Sequence, residues 1–113
     1  MLRPIICAVA AVLALSVAVG AEDIATIPVS LQDHRFLPEE IRVPAGKPVY
    51  LEIANRDATA EEFDSGILAI EKIIPANGHA RIRLRPLAPG RYPFVGEFHA
   101  DTAHGAIVSL APP

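Results

Sequence analysis

Thiol is nearly missing from this sequence: of its 113 residues one is cysteine, Cys7, and that residue lies inside an apolar N-terminal run. The run, "PIICAVAAVLALSVAV" after Arg3, ends on Val19, Gly20 and Ala21 ahead of Glu22. Basic, then apolar, then small residues is the order of a secretory signal, predicted here to span residues 1–21 and to be cleaved after Ala21. An uncleaved anchor would need a longer stretch to cross about 30 Å of hydrocarbon comfortably. The remaining residues 22–113 form one domain by length. That domain has no disulfide to staple it and no thiolate to ligate metal or attack a substrate.

Positive charge is also scarce. Without Arg3 the chain keeps nine basic residues against 13 acidic ones, so nucleic acid is not an expected partner. The sequence has no Gly-x-Ser-x-Gly elbow and no phosphate-binding glycine loop, which with the missing thiol argues against a nucleophilic enzyme. There is no internal repeat, no low-complexity tract and no interdomain linker.

What the chain does have is punctuation. Eleven prolines and seven glycines cut it into short apolar runs, the pattern of an all-β domain. Strands are predicted in "IATIPVSL" (24–31), where Pro28 suggests an edge or a bulge, and in "EIRV" (40–43), ahead of a "PAGK" turn. "PVYLEIAN" (48–55) follows, with Val49, Leu51 and Ile53 on one face and Tyr50 and Glu52 on the other. "ILAIEKII" (67–74), "ARIRL" (80–84), "RYPFV" (91–95) and "GAIVSL" (105–110) complete about seven strands, enough for a two-sheet antiparallel β-sandwich. Residues 57–66 have room for a single helical turn. Arg81, Arg83 and Arg85 alternate along one strand face, which is either solvated or a docking surface for an acidic partner.

The chemistry concentrates in "FVGEFHADTAHG", where His99 and His104 stand five residues apart in a loop between two strands. Paired imidazoles there either hold a metal or are two solvated side chains on a turn. Loops of a sandwich gather at its ends, so the acidic segment before Phe63 can bring Glu61 or Glu62 to the same pole. Adjacent strand residues face opposite ways, and only one of the two should reach it. Asp64 and Asp101 read as turn and capping residues, and His79 as an exposed residue beyond the "PANG" turn.

Two segments carry a family resemblance. "HRFLPEEIRVPAGKPVYLEIAN" and "PLAPGRYPFVGEFH" resemble the cupredoxins over nearly all of residues 24–110, which implies the cupredoxin-like Greek-key sandwich. In copper-carrying relatives such as plastocyanin the second segment leads into cysteine, two residues, histidine, four residues and methionine. On that pattern Gly96 takes the cysteine position, His99 the histidine and His104 the methionine, while Glu61 takes the upstream histidine position. His34, two residues before Phe36, falls in a loop that the resemblance brings to the same pole. The implied metal set is thus His99, His104, Glu61 and His34.

Without a thiolate a blue copper centre is not expected. Imidazole and carboxylate donors suit copper first, with iron or zinc as alternatives, and Gly96 is expected to leave space for water or an exogenous ligand. "NRDATAEEFDS", "EKII" and "GEFH" further resemble small periplasmic cupredoxin-like proteins associated with bacterial iron-permease uptake. The implied function is periplasmic binding of copper or iron for a membrane transport system, with an iron permease or a periplasmic iron-binding protein as partner. The alternatives are an Fe(II)-oxidising or electron-relay component at a cysteine-free copper centre, and a metal-free interaction module.

Overall fold

A computed structural model describes residues 24–113, and the predicted signal peptide lies outside the described residues. The chain runs β1 (Ala25–Gln32), β2 (Arg35–Leu37), β3 (Glu40–Pro44), β4 (Val49–Asn55), β5 (Glu61–Ser65), β6 (Ile70–Ile74), β7 (His79–Leu84), β8 (Gly90–Gly96), a single 3-10 turn at Glu97–His99, and β9 (His104–Leu110). One sheet has the order β2-β1-β4-β7 and the other β3-β9-β8-β5-β6. The all-β, two-sheet sandwich is as expected, but with nine strands among the described residues. Two of its pairings, β1 with β4 and β3 with β9, run parallel, so both sheets are mixed. Among the described residues no helix is long and apolar enough to cross a membrane.

Period-2 alternation builds the core. On β4 Val49, Leu51, Ile53 and Asn55 are buried while Tyr50, Glu52 and Ala54 are half-exposed, and β7 alternates in the same way, with its arginines outward. Arg81 reaches across to Glu52 at 3.0 Å and lies over the Tyr50 ring. Pro28 sits where β1 has outrun the short β2, which pairs with Ser30, Leu31 and Gln32 alone. Its missing N–H therefore faces an open flank of the sheet.

Residues 61–65 are strand, not the helical turn the local sequence allows, because β5 is paired by β6 on one side and β8 on the other. Non-local pairing overrides local propensity here. Beneath the pole where β5 begins and β8 ends, Phe36, Phe63 and Phe94 pack together with ring centroids 4.6–5.8 Å apart. Burial of each ring contributes about 1.5–3 kcal/mol, and the cluster gives the site above it a rigid floor.

Candidate metal centre

The pole is built from three chain segments. Between β1 and β2, Asp33 and His34 both have positive φ, 52° and 55°, as a two-residue hairpin turn of the mirror-image kind requires. The strain of two non-glycine residues in that region is offset by Asp57, whose carboxylate accepts the N–H of Asp33 at 2.8 Å and of His34 at 3.0 Å. Asp57 is itself set by Asn55, which accepts the Asp57 N–H through Oδ1 and donates through Nδ2 to the carbonyls of Thr59 and Ile74. Thr102 closes the turn from the other side, donating its hydroxyl to the His34 carbonyl at 2.7 Å. The backbone of His34 is thereby fixed, whereas its ring has one weak polar contact, Nε2 to Thr59 Oγ1 at 3.4 Å.

The second segment is β5. Alternation turns Glu61, Phe63 and Ser65 inward and Glu62 and Asp64 outward. Glu61 is 1% exposed, a burial that an ionised group tolerates when it is fully hydrogen-bonded. Its Oε1 accepts the N–H of Glu62 at 3.0 Å and of Phe98 at 2.8 Å, and its Oε2 meets His99 Nδ1 at 2.6 Å.

The third segment is the 3-10 turn that carries His99. The His99 ring stacks on His34 with centroids 3.5 Å apart and planes within 13° of parallel. A cavity of about 370 Å³ opens beside the pair, lined by His34, Phe98, His99, Ala100, Asp101 and Thr102.

The structure thus brings His99, Glu61 and His34 together, and it does not bring His104. Val95 faces out of the β8–β9 ladder and pairs with His104; cross-strand partners share a face, so the exposed His104 points away from the pole. The residue that turns inward is its neighbour Ala103, fully buried. The room expected beneath Gly96 is also filled. A Cβ at position 96 would stand 2.6 Å from Ala103 Cβ and 2.7 Å from Glu61 Cδ, so the Glu61 carboxyl occupies the volume that a side chain at 96 would need. No space for an exogenous ligand is left there.

Four contributors escaped the sequence reading: Asp57, Asn55, Thr102 and the Phe98 N–H. The first two carried a signal, since an Asn-x-Asp at a strand end is a common turn-forming combination. Asp101 lies in a turn, as expected, and also lines the cavity, whereas Asp64 lies within β5 rather than in a turn.

A blue copper site does not fit this pole, because neither a thiolate nor the volume for one is present. An imidazole site fits by donor chemistry. Nδ1 of His99 is engaged by Glu61, which leaves Nε2 as its free nitrogen. Two parallel stacked rings direct their lone pairs along parallel planes, so sharing one ion requires the loosely held His34 ring to turn. Among the described residues, the trio whose ligand atoms lie within 4.8 Å of one another is elsewhere, at Glu62, Asp64 and Glu71, on the outer face of the same strand and its neighbour.

The comparisons with known proteins agree with this architecture. Residues 5–109 match the model of the cupredoxin-like domain. The chain is 40% identical over 87 residues to Uncharacterized protein RP394 of Rickettsia prowazekii (strain Madrid E), covering 77% of this chain and 70% of that one. Among solved structures it resembles the metal-binding domain of the Streptococcus pneumoniae D39 Cu(I)-exporting P-type ATPase CopA with Cu(I), with a TM-score of 0.66 and 17% identity over 75% of this chain and 84% of the other. It likewise resembles auracyanin A, a blue copper protein of Chloroflexus aurantiacus, with a TM-score of 0.62 and 14% identity over 76% and 98%. At such identities the two structures speak for the fold alone. Fold and family match together place this chain in the cupredoxin-like family.

Proposed function

We propose that the protein binds copper at the His34–His99 pole and hands it on, as a periplasmic carrier for a membrane iron or copper transport system. One observation carries the reading: a surface imidazole, His99, is oriented from beneath by a buried carboxylate, the arrangement that metal-ligating histidines use to fix ring and tautomer. His99 through Nε2 and His34 would hold the ion, and Asp101 at the cavity wall is the nearby carboxylate. The ion supplies a charge that imidazole nitrogens recognise; the protein supplies a rigid floor and one ring that is free to turn.

Copper is favoured over iron because affinity at a given set of nitrogen donors rises from Fe(II) to a maximum at Cu(II) and because the similar CopA domain and auracyanin A are copper proteins by description. Iron, the permease partner and the periplasmic location rest on the subgroup resemblance and on the signal-like N-terminus. Oxidation of Fe(II) at the same centre has no structural feature that favours it over binding. The metal-free docking module does have one: Glu61 and the stacked rings satisfy one another without an ion.

Titration of the protein with Cu(II) followed by calorimetry tests the reading. One equivalent should bind, and His99→Ala should weaken it by at least about tenfold, with His34→Ala weaker in effect and His104→Ala without effect. Wild-type protein that takes up no copper would leave the docking module as the function.

A further inference from the structure

We propose that this protein self-associates through two unlike faces: the arginine-bearing outer face of the β2-β1-β4-β7 sheet of one copy docks on the carboxylate-bearing outer face of the other sheet in the next. The inference stands apart from the metal reading. On the first face the register sets Tyr50 beside Arg83 and Glu52 beside Arg81. Arg81 is already held, bonding Glu52 at 3.0 Å and lying over the Tyr50 ring, 4.9 Å from its centroid. Arg83 is exposed and forms no ion pair among the described residues. A guanidinium with donors and no acceptor thus stands beside an aromatic ring and a second, fixed arginine. Those residue types dominate protein–protein contacts.

The outer face of β5 and β6 has the opposite lack. Asp64 pairs with Glu71 across the ladder, and carboxylate oxygens of Glu62, Asp64 and Glu71 lie within 4.8 Å of one another. Neither these three nor the neighbouring Glu97 has a cationic partner among the described residues. Oδ1 of Asp64 is buried with no hydrogen-bond donor, a state that buried polar atoms rarely keep. Beside it runs a groove of about 700 Å³, walled by Asp64, Glu71 and Glu97 and by the apolar Ile70 and Val95. An arginine side chain matches both kinds of wall: its head donates to carboxylates and its methylene stem covers apolar surface. Arg83 of a second copy is such a side chain. Like faces of two copies repel and unlike faces attract, so the charge pattern also sets the orientation. The two faces lie on opposite sides of the sandwich. Contact between them is heterologous, and copies add in a row instead of closing as a pair. The groove shares no lining residue with the cavity at His99.

The test is analytical ultracentrifugation of the whole protein in the presence of a chelator, at about 10 mM and about 1 M salt, between which the screening length falls from about 30 Å to about 3 Å. At low salt the weight-average mass should rise with protein concentration and pass that of two copies; at high salt it should stay at one. Arg83→Glu and Glu71→Arg change exposed residues and are checked for folding by circular dichroism. Each alone should associate at least about tenfold more weakly. Mixed in equal amounts they should associate again, because the first keeps an intact acidic face and the second an intact arginine face. The proposal is overturned by a wild type that stays a single copy up to about 1 mM, the weak end of specific affinity. It is equally overturned by association that ignores salt, by a folded variant that associates as the wild type does, or by a mixture that does not recover. Association that appears only when Ca(II) or Mn(II) replaces the chelator would make the carboxylates an ion site and overturn it too. The wild-type salt series decides the matter even where a variant fails to fold.

Discussion

Glu61 and Glu62 are chemically identical, adjacent in sequence and opposite in circumstance. The inner face of β5 surrounds Glu61 with hydrogen-bond donors, one of them the N–H of Glu62 itself. The outer face surrounds Glu62 with carboxylates: Asp64 on the same strand, Glu71 on β6, directly opposite Asp64, and Glu97 beyond β8. One side chain Oδ1 of Asp64 is buried there without a partner. Position on the pleat, rather than residue type, therefore decides whether a carboxylate on this strand supports its surroundings or is opposed by them.

The sharpest way to break the contrast is to remove the inner carboxylate. Glu61→Ala leaves the Glu62 and Phe98 N–H groups and His99 Nδ1 without their acceptor, and each buried donor left unpaired costs about 1–3 kcal/mol. Urea unfolding of the variant should show that loss as a lowered midpoint. An equal truncation outside, Glu62→Ala, should not lower it. Equal losses from both would mean that the two faces are not different in kind.

Next in size is the glycine that gives Glu61 its room. Gly96→Ala puts a methyl against Ala103 Cβ and Glu61 Cδ, both closer than carbon atoms approach without moving. Overpacking of this sort costs about 1–3 kcal/mol. Because the Ala103 contact comes from a methyl fixed to the backbone, the strain cannot be relieved by rotating a side chain. Combining Gly96→Ala with Glu61→Ala should cost less than the two separate losses together, since the second change removes one of the two clashes. Simple additivity in denaturant titrations would show that the glutamate does not fill the space beneath position 96.

How much of this could be read from the sequence follows the same division between local and distant causes. β4 and β7 were legible because alternation is local; the same period said that only one of Glu61 and Glu62 reaches the pole, and the family pattern chose Glu61. β2 was missed, being three residues long and held in place by its pairing with β1. His104 was misplaced because spacing counts residues without counting faces; its pairing with Val95 turns it outward. The contact of His99 with Glu61 spans 38 residues; the convergence of sandwich loops and the family pattern gave the neighbourhood and not the bond. The filled volume beneath Gly96 left no trace in any local pattern, since it depends on how far a side chain from another strand extends.

The smallest expected effect belongs to the outer carboxylate and has the opposite sign. Partial burial first, and then the charge of Asp64, with Glu71 and Glu97 adding to it, hold Glu62 above the usual carboxylate range. A carboxyl whose folded value is raised prefers its proton in the folded state. Its contribution to stability is fully present below the unfolded value and is lost as pH rises through the folded one. At neutral pH the ionised Glu62 thus opposes folding, and Glu62→Gln, which keeps the shape without the charge, should be slightly more stable than the wild type. As pH falls to the acid side of the ordinary carboxylate value, the wild type acquires its own proton there, and the difference between the two midpoints should close. Comparing variant and wild type at each pH cancels the titration of the other carboxylates that both proteins share. A Glu62→Gln variant that is less stable at neutral pH, or an advantage that persists unchanged into acid, would mean that the outer face holds Glu62 as favourably as the inner face holds Glu61.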